Sequence, residues 1–427
     1  MLQKERQILE TLYQAAIKAV IPYNSVKEFL DTHKHRFTNK ALYVIAFGKA
    51  ACSMVLAAEE FFGPDRIIDG IAITKYGHIS EPSPQKVKVF EAAHPIPDEK
   101  GLKATEKVIQ LARRLNEDAL CLCLISGGGS ALLVCPAQGL SLQDKQNTTD
   151  LLLRAGADIY ELNTVRKHIS SVKGGRLMEL LFPSEVLSLI LSDVLGDRLD
   201  MIASGPTVPD PTTYVDAYNV LKKYSLLEEI PKSVENHIRK GTEGKIPETP
   251  DKNSIVFQKT ENYIIGNLHK ALKAAKVEAE KMGFRTRIIT EKLSGEAREA
   301  ARFLAAMAKQ TSEPMILLSG GETTVTVKGN GKGGRNTELA LAFAIEIKDH
   351  PGIYLLSAGT DGTDGPTDAA GAFVDSHTYD NAVKKGYIPE KFLEENDSYT
   401  FFLKTNGLYK PGPTGTNVMD IQIILVK

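Results

Sequence analysis

LYVIAFGKAACS, residues 42–53, reads as a strand that breaks at Gly48 and passes through a lysine-bearing turn toward a helix. Its first six residues have strand composition. A glycine directly after such a run lets backbone N–H groups approach an anion, and a following helix adds its positive end. The pattern recurs where LCLCLIS (120–126) leads into SGGGSA (126–131). Further candidate strands are IIDGIAIT (67–74), KVFEAA (88–93) and EVLSLILS (185–192), and they alternate with segments of helical spacing such as GLKATEKVIQLARRL (101–115) and SLQDKQNTTDLLLRAG (141–156). Strands separated by amphipathic helices predict parallel pairing through helical crossovers, so the class is α/β.

At 427 residues the chain exceeds what one core usually organises, and its 42% hydrophobic content can fill two. Residues 228–262, with GTEGKIPETPDKNS, are rich in Pro, Lys, Glu and Thr and predict a junction. Alternation then resumes as a second βαβαβ unit, with strands YIIG (263–266), FRTRIIT (284–290) and PMILLS (314–319). ETTVTV (322–327), IYLLSAG (353–359) and DIQIILVK (420–427) extend a sheet that is expected to be mixed.

The 52 basic and 53 acidic residues leave a net charge of −1, so no global field favours nucleic acid or an anionic membrane. The start places Ile8, Leu9, Leu12, Tyr13, Ala16, Ile17 and Val20 on one face of a helix, between charges that a signal peptide would exclude. No apolar stretch is long enough to span a membrane, and a soluble, cytoplasmic protein is expected. Cys52, Cys121, Cys123 and Cys135 are too irregularly spaced for a disulfide framework or a zinc site. Cys121 and Cys123 read as same-face core residues of a strand.

A third glycine-rich turn, GNGKGGRNTE (329–338), contains G-x-G-x-x-G at Gly329, Gly331 and Gly334 and carries Lys332 and Arg335. It follows a Thr/Val strand instead of opening a first βαβ unit, so a plain glycine turn remains the competing reading. No Gly-Lys is followed by Ser or Thr, which excludes a Walker A loop. Two acidic turns, SDVLGDRLDMIASGPT (192–207) and AGTDGTDGPTDAAGA (358–372), make Asp193, Asp197, Asp361, Asp364 and Asp368 candidate magnesium ligands or bases, against a reading as ordinary Asp-Gly turns. NTVRKHISSVKGGRLMELL (163–181) reads as a basic helical stretch in which Arg166 and Lys173, seven apart, share a face suited to a carboxylate or phosphate. His78, His94 and His168 read as structural hydrogen-bonders, and no G-x-S-x-G elbow is present.

Together, FGKA, TKYGH, HPIPD, SGGGSAL, NTVRKHISSVKGG, SDVLGDRLDMIASGPT, SGGETTVTVKGNGKGGRNTE, AGTDGTDGPTDAAG and GPTGTNVMD resemble the type II glycerate kinases with a C-terminal MOFRL domain. The resemblance spans almost the whole chain. It implies a Rossmann-like first domain with a mostly parallel sheet flanked by helices over 1–245, and a second α/β domain over 255–427 that contains the MOFRL region at about 310–424. It also implies ATP-dependent phosphorylation of D-glycerate to 2-phosphoglycerate, in the cleft between the domains, with magnesium or another divalent cation. Members have also been labelled hydroxypyruvate reductases, so an NAD(P)H-dependent reductase is the alternative.

On the family's pattern Lys49 and Arg335 are the essential cations. Asp193 is expected to orient or deprotonate the glycerate hydroxyl. Expected nucleotide or substrate contacts are Gly48, Ser126, Gly127, Gly128, Gly129, Ser130, Arg166, Lys173, Lys332, Gly333, Gly334 and Asn336, with Asp193, Asp361 and Asp364 as metal ligands. The partner is a small molecule, with no nucleic acid or membrane, and the chain is a monomer or homodimer.

Overall fold

The computed structural model describes residues 3–37, 40–79 and 82–427, with nothing said of the Pro64 side chain. Two compact units emerge, one of Pro22–Ser192 with Asp197–Ile265, the other of Met1–Ile21, Asp193–Gly196 and Gly266–Lys427.

In the first unit six strands, β1 (Ala41–Phe47), β2 (Ile67–Lys75), β3 (Lys88–Ala92), β4 (Ala119–Ile125), β5 (Glu185–Leu191) and β6 (Thr260–Gly266), form one sheet in the order β3-β2-β1-β4-β5-β6. The described pairings are parallel. Strand β4 is buried along its whole length, as expected when helices cover both faces of a sheet. Cys121 and Cys123 lie there with their sulfurs 3.8 Å apart, the same-face core pair that the alternation predicts. A helical layer carries its own core, in which Leu152, Leu162, Val165, Tyr214, Val234 and Ile238 meet.

The second unit holds a mixed sheet of β7 (Arg285–Glu296), β8 (Met315–Thr324), β9 (Ile353–Gly359), β10 (Gly371–Asp375), β11 (Leu408–Tyr409) and β12 (Asp420–Val426). Its order is β11-β10-β9-β12-β8-β7. Only β7 and β8 pair in parallel; β12 runs antiparallel to both β8 and β9.

Several expectations change. YIIG belongs to β6 and closes the first sheet, so it opens no second βαβαβ unit. PMILLS and the start of ETTVTV fuse into the single strand β8, and Gly371 and Ala372, read as the end of an acidic turn, open strand β10. The 228–262 stretch is no linker. Its helix Lys232–Thr242 buries Val234 and Ile238, four residues apart, in the helical core, while Lys232, Arg239 and Lys240 face water and give the segment a linker's composition. The first helix, Gln3–Ala19, buries the face read from the sequence, but within the second unit: the Tyr13 hydroxyl donates to the Gly359 carbonyl at 2.7 Å.

Candidate active site

In the strand order of the first sheet, direction reverses between β1 and β4, and open α/β sheets bind ligands just beyond the carboxyl ends of strands at such a point. Two of the glycine turns emerge there, Gly48-Lys49 from β1 and Ser126–Ser130 from β4, on strands paired from Ala41↔Ala119 to Phe47↔Ile125. Gly48 has φ +123°, and a Cβ on it would stand 2.2 Å from Ser126 Oγ, so no other residue fits. The two turns are stitched together. Ala50 N–H donates to Ser126 Oγ at 3.0 Å, and Lys49 N–H donates to the Gly127 carbonyl at 2.9 Å.

The N–H groups of Gly127 and Gly128 have no acceptor among the described residues. Ser126, Gly127 and Gly129 are buried, whereas Gly128 and Ser130 are half-exposed and present the turn to a ligand. The half-buried Lys49 makes no ion pair among the described residues. Two histidines read as structural join it. His94 packs its imidazole against Gly128, and burial, with Lys49, Lys75 and His78 nearby, pushes its pKa down to about 4. Burial and Lys75 lower His78 as well.

From Ser130 a chain of polar groups leads inward. Ser130 and Ser204 hydroxyls lie 2.9 Å apart, and Ser204 donates to Asn163 Oδ1 at 2.8 Å. Ala203 and Ser204 hold φ of +51° and +62°, a left-handed pair that costs roughly 1–3 kcal/mol per residue and marks a built turn. Asn163 and Arg166 are on the helix Ile159–His168, started by a reciprocal cap between Asp158 and Glu161.

The basic stretch 163–181 is not one helix. It breaks after His168 and resumes at Arg176, so Arg166 and Lys173 share no helical face. Lys173 is 0% exposed and donates to the Ala203 carbonyl at 3.3 Å, which keeps it from touching a ligand directly. Sequence reasoning overlooked Lys145. This buried residue of the helix Leu142–Arg154 donates to the carbonyls of Arg166 and Ile169 at 3.1 and 3.4 Å, and burial lowers its pKa to about 7. Burial also lowers Lys173 and Arg166. His168 keeps a structural role, bonded to the Thr164 carbonyl at 2.8 Å and packed edge-on to Tyr214.

The remaining expected residues lie in the second unit. Arg335 opens the helix Arg335–Glu346, and its guanidinium grips Asp420 through Nε at 2.6 Å and Nη2 at 3.1 Å while also bonding Glu322. Burial opposes its charge, but the two carboxylates outweigh burial and raise its pKa further. Burial raises fully enclosed Asp420 to about 6, more than Arg335 can counter. Neither acid is evident from sequence, since each looks like an ordinary end of a strand.

Asn336 is 1% exposed and accepts from Ser357 Oγ at 2.8 Å, so it braces the turn and does not meet a nucleotide. The third glycine turn spends most of its N–H groups internally. Lys328 and Gly329 donate to Asn396, Gly331 to the Glu395 carbonyl, Lys332 to Asp397 and Gly334 to Thr337. A Cβ on Gly331 would lie 2.3 Å from that of Asp397, so this glycine serves close packing more than anion capture. Lys332 stays exposed, its ammonium 4.6 Å from the Tyr399 ring centre, and Gly333 is half-exposed.

Asp364 leaves the set of metal ligands. Its Oδ1 accepts from Asn336 N at 2.9 Å and Asn336 Nδ2 at 3.5 Å, and its Oδ2 from Thr337 N and Thr337 Oγ1, both at 2.8 Å. All of its acceptor capacity is thereby used to cap the helix that starts at Arg335. Asp368 pairs at the surface with Tyr399 and Lys410. Asp361 closes a local turn with Thr363, and Asp193, half-buried, falls in the short segment Asp193–Gly196. Among the described residues no three acidic, histidine or cysteine side chains gather as a metal site, and no helix is long and apolar enough to cross a membrane.

Residues 8–239 match the family described as Domain of unknown function (DUF4147), and residues 315–420 match the MOFRL family. A D-glycerate 2-kinase of Thermotoga maritima is 46% identical over 422 residues, covering 97% of each chain. A glycerate 2-kinase of Pyrococcus horikoshii is 43% identical over 99% of this chain and 97% of its own. The crystal structure of a Thermotoga maritima glycerate kinase, 44% identical, superposes with a TM-score of 0.90 over 100% of both chains. The chain belongs to the type II glycerate kinase family with a C-terminal MOFRL region.

Proposed function

We propose that this chain phosphorylates D-glycerate with ATP, giving 2-phosphoglycerate and ADP. The observation that carries the reading is full-length identity of 43–46% to two glycerate 2-kinases, and the Lys49 turn supplies chemistry that fits it. Phosphoryl transfer asks chiefly for alignment and for positive groups around the moving charge. Lys49 and the unbonded N–H groups of Gly127 and Gly128 are such groups in the first unit. Arg335, fixed by Asp420 and Glu322, is one in the second. Its Nη atoms keep N–H donors beyond those bonds, because a guanidinium carries five. Asp193 orients the glycerate hydroxyl or takes its proton.

Magnesium enters with ATP as the substrate complex. It usually keeps several waters and needs one or two protein carboxylates beside phosphate oxygens, which Asp193 and Asp361 supply in this reading. The chain works in the cytoplasm as a monomer or homodimer, and its four free cysteines suit a reducing compartment. The reductase reading is the weaker one: relatives named putative hydroxypyruvate reductase are 38% identical, below the two kinases, and the first βα turn carries Gly48-Lys49 in place of a dinucleotide fingerprint. Incubation with D-glycerate and MgATP tests the reading: ADP release that depends on glycerate supports it, and NADH oxidation by hydroxypyruvate without ADP release contradicts it.

A further inference from the structure

One group of basic side chains in the first unit lacks acidic partners. Lys145, Arg166 and Lys173 influence one another electrostatically, yet none forms an ion pair among the described residues. Their neighbour Lys167 is handled differently: equally buried, it meets Asp210 at 3.1 Å and Asp200 at 3.6 Å. The fold thus pairs Lys167 and leaves the other three without an acidic partner among the described residues. Buried positive groups are tolerated when something of opposite sign completes them.

Access differs among the three. Lys173 is 0% and Lys145 4% exposed, and both are tied to backbone carbonyls, whereas Arg166 is half-buried and its guanidinium has no hydrogen-bond partner among the described residues. Arg166 also lies one helical turn from Asn163, whose amide joins the Ser204 and Ser130 hydroxyls leading to the glycine turn of β4.

We propose that Arg166, backed by Lys145 and Lys173, binds the carboxylate of the three-carbon acid, so that the Ser130–Ser204–Asn163 chain belongs to the acid and not to the nucleotide. This inference rests on the kinase reading and narrows it. A guanidinium matches a carboxylate with two parallel N–H bonds. The enclosed setting suits a small anion stripped of water. A magnesium-bound triphosphate keeps a hydration shell that such a setting excludes. Lys145 and Lys173 act as positioning residues. Lys145 holds the carbonyl end of the helix that carries Arg166, and both contribute field without touching the ligand.

Steady-state kinetics of Arg166→Met, with D-glycerate and MgATP varied separately, tests the assignment. The KM for glycerate should rise ~50-fold, the loss of a charged hydrogen-bond pair, while the KM for ATP stays within about threefold. Glyceramide, which lacks the carboxylate charge, should be used equally poorly by both proteins. Calorimetric titration with D-glycerate alone should show wild-type binding and none in the variant, a readout independent of turnover. Lys145→Met should raise the glycerate KM more than it lowers kcat. If Arg166→Met misfolds, Arg166→Lys keeps the charge but loses the fork, and a glycerate KM within twofold of wild type overturns the proposal. A selective rise in the KM for ATP would assign the cluster to phosphate and overturn it too. Wild-type protein that binds D-glycerate without phosphorylating it would sink the kinase reading while leaving the carboxylate site standing.

Discussion

Asp364 separates a structural reading from a metal-binding one, and the consequence is large. In Asp364→Ala the buried N–H groups of Asn336 and Thr337 lose their acceptors, and Thr337 Oγ1 loses one as well. Each buried donor left unsatisfied costs roughly 1–3 kcal/mol, so two of them cost roughly 2–6 kcal/mol. Burial raises the pKa of Asp364, so removing a carboxylate that is itself disfavoured there offsets part of the loss. A net destabilisation of about 3 kcal/mol is expected. Urea denaturation followed by circular dichroism should show the second unit's transition moving down by about 1 M, given a slope near 3 kcal/mol per molar for a unit of this size. Asp364→Asn, which keeps one acceptor oxygen, should fall between. An alanine variant with a wild-type midpoint but an altered magnesium requirement would show that Asp364 serves a metal, and the capping argument would fail.

Lys49→Met should lower kcat by about a thousandfold, since one cation near a moving phosphoryl charge contributes about 4 kcal/mol at an effective dielectric of 20; its melting curve should match wild type, because Lys49 makes no ion pair among the described residues, and a loss under tenfold would remove it from the site. Gly48→Ala forces a methyl to 2.2 Å from Ser126 Oγ at φ +123° and should cost at least 3 kcal/mol or yield insoluble protein; a soluble, active alanine variant would show that the turn is looser than described. Lys145, with its folded pKa near 7, loses its proton in the folded protein above about pH 7 but keeps it in the unfolded chain up to its ordinary value, so unfolding takes up a proton between these limits and stability rises with pH. From pH 7 to 9 the gain is about 2 kcal/mol, and Lys145→Met should flatten that rise in paired denaturation series.

What was legible in the sequence is what is local. LYVIAFGKA and LCLCLISGGGSA carry their strands and turns within a dozen residues, and the parallel sheet follows from such runs alternating with helices. Long-range pairings stayed hidden. The first helix shows its buried face plainly, but nothing near it in sequence tells that Tyr13 bonds Gly359. Asp364 looked like a ligand because its Asp-Gly context suits a loop, and only the folded chain brings the start of the helix Arg335–Glu346 onto it. Lys145 was hidden for the opposite reason: a lysine inside an amphipathic helix normally faces water, and this one points inward at the end of a neighbouring helix. Asp420 opens a wholly buried strand and Glu322 lies near the end of another, so their joint grip on Arg335 exists only once β8 and β12 pair.

Phosphorus NMR of one incubation with D-glycerate, ATP and magnesium, beside a parallel incubation with NADH and hydroxypyruvate, tests the central claim most directly. The account predicts a growing 2-phosphoglycerate signal matched by ADP, with NADH unchanged in the parallel tube. NADH oxidation with no phosphoglycerate of either kind would contradict it.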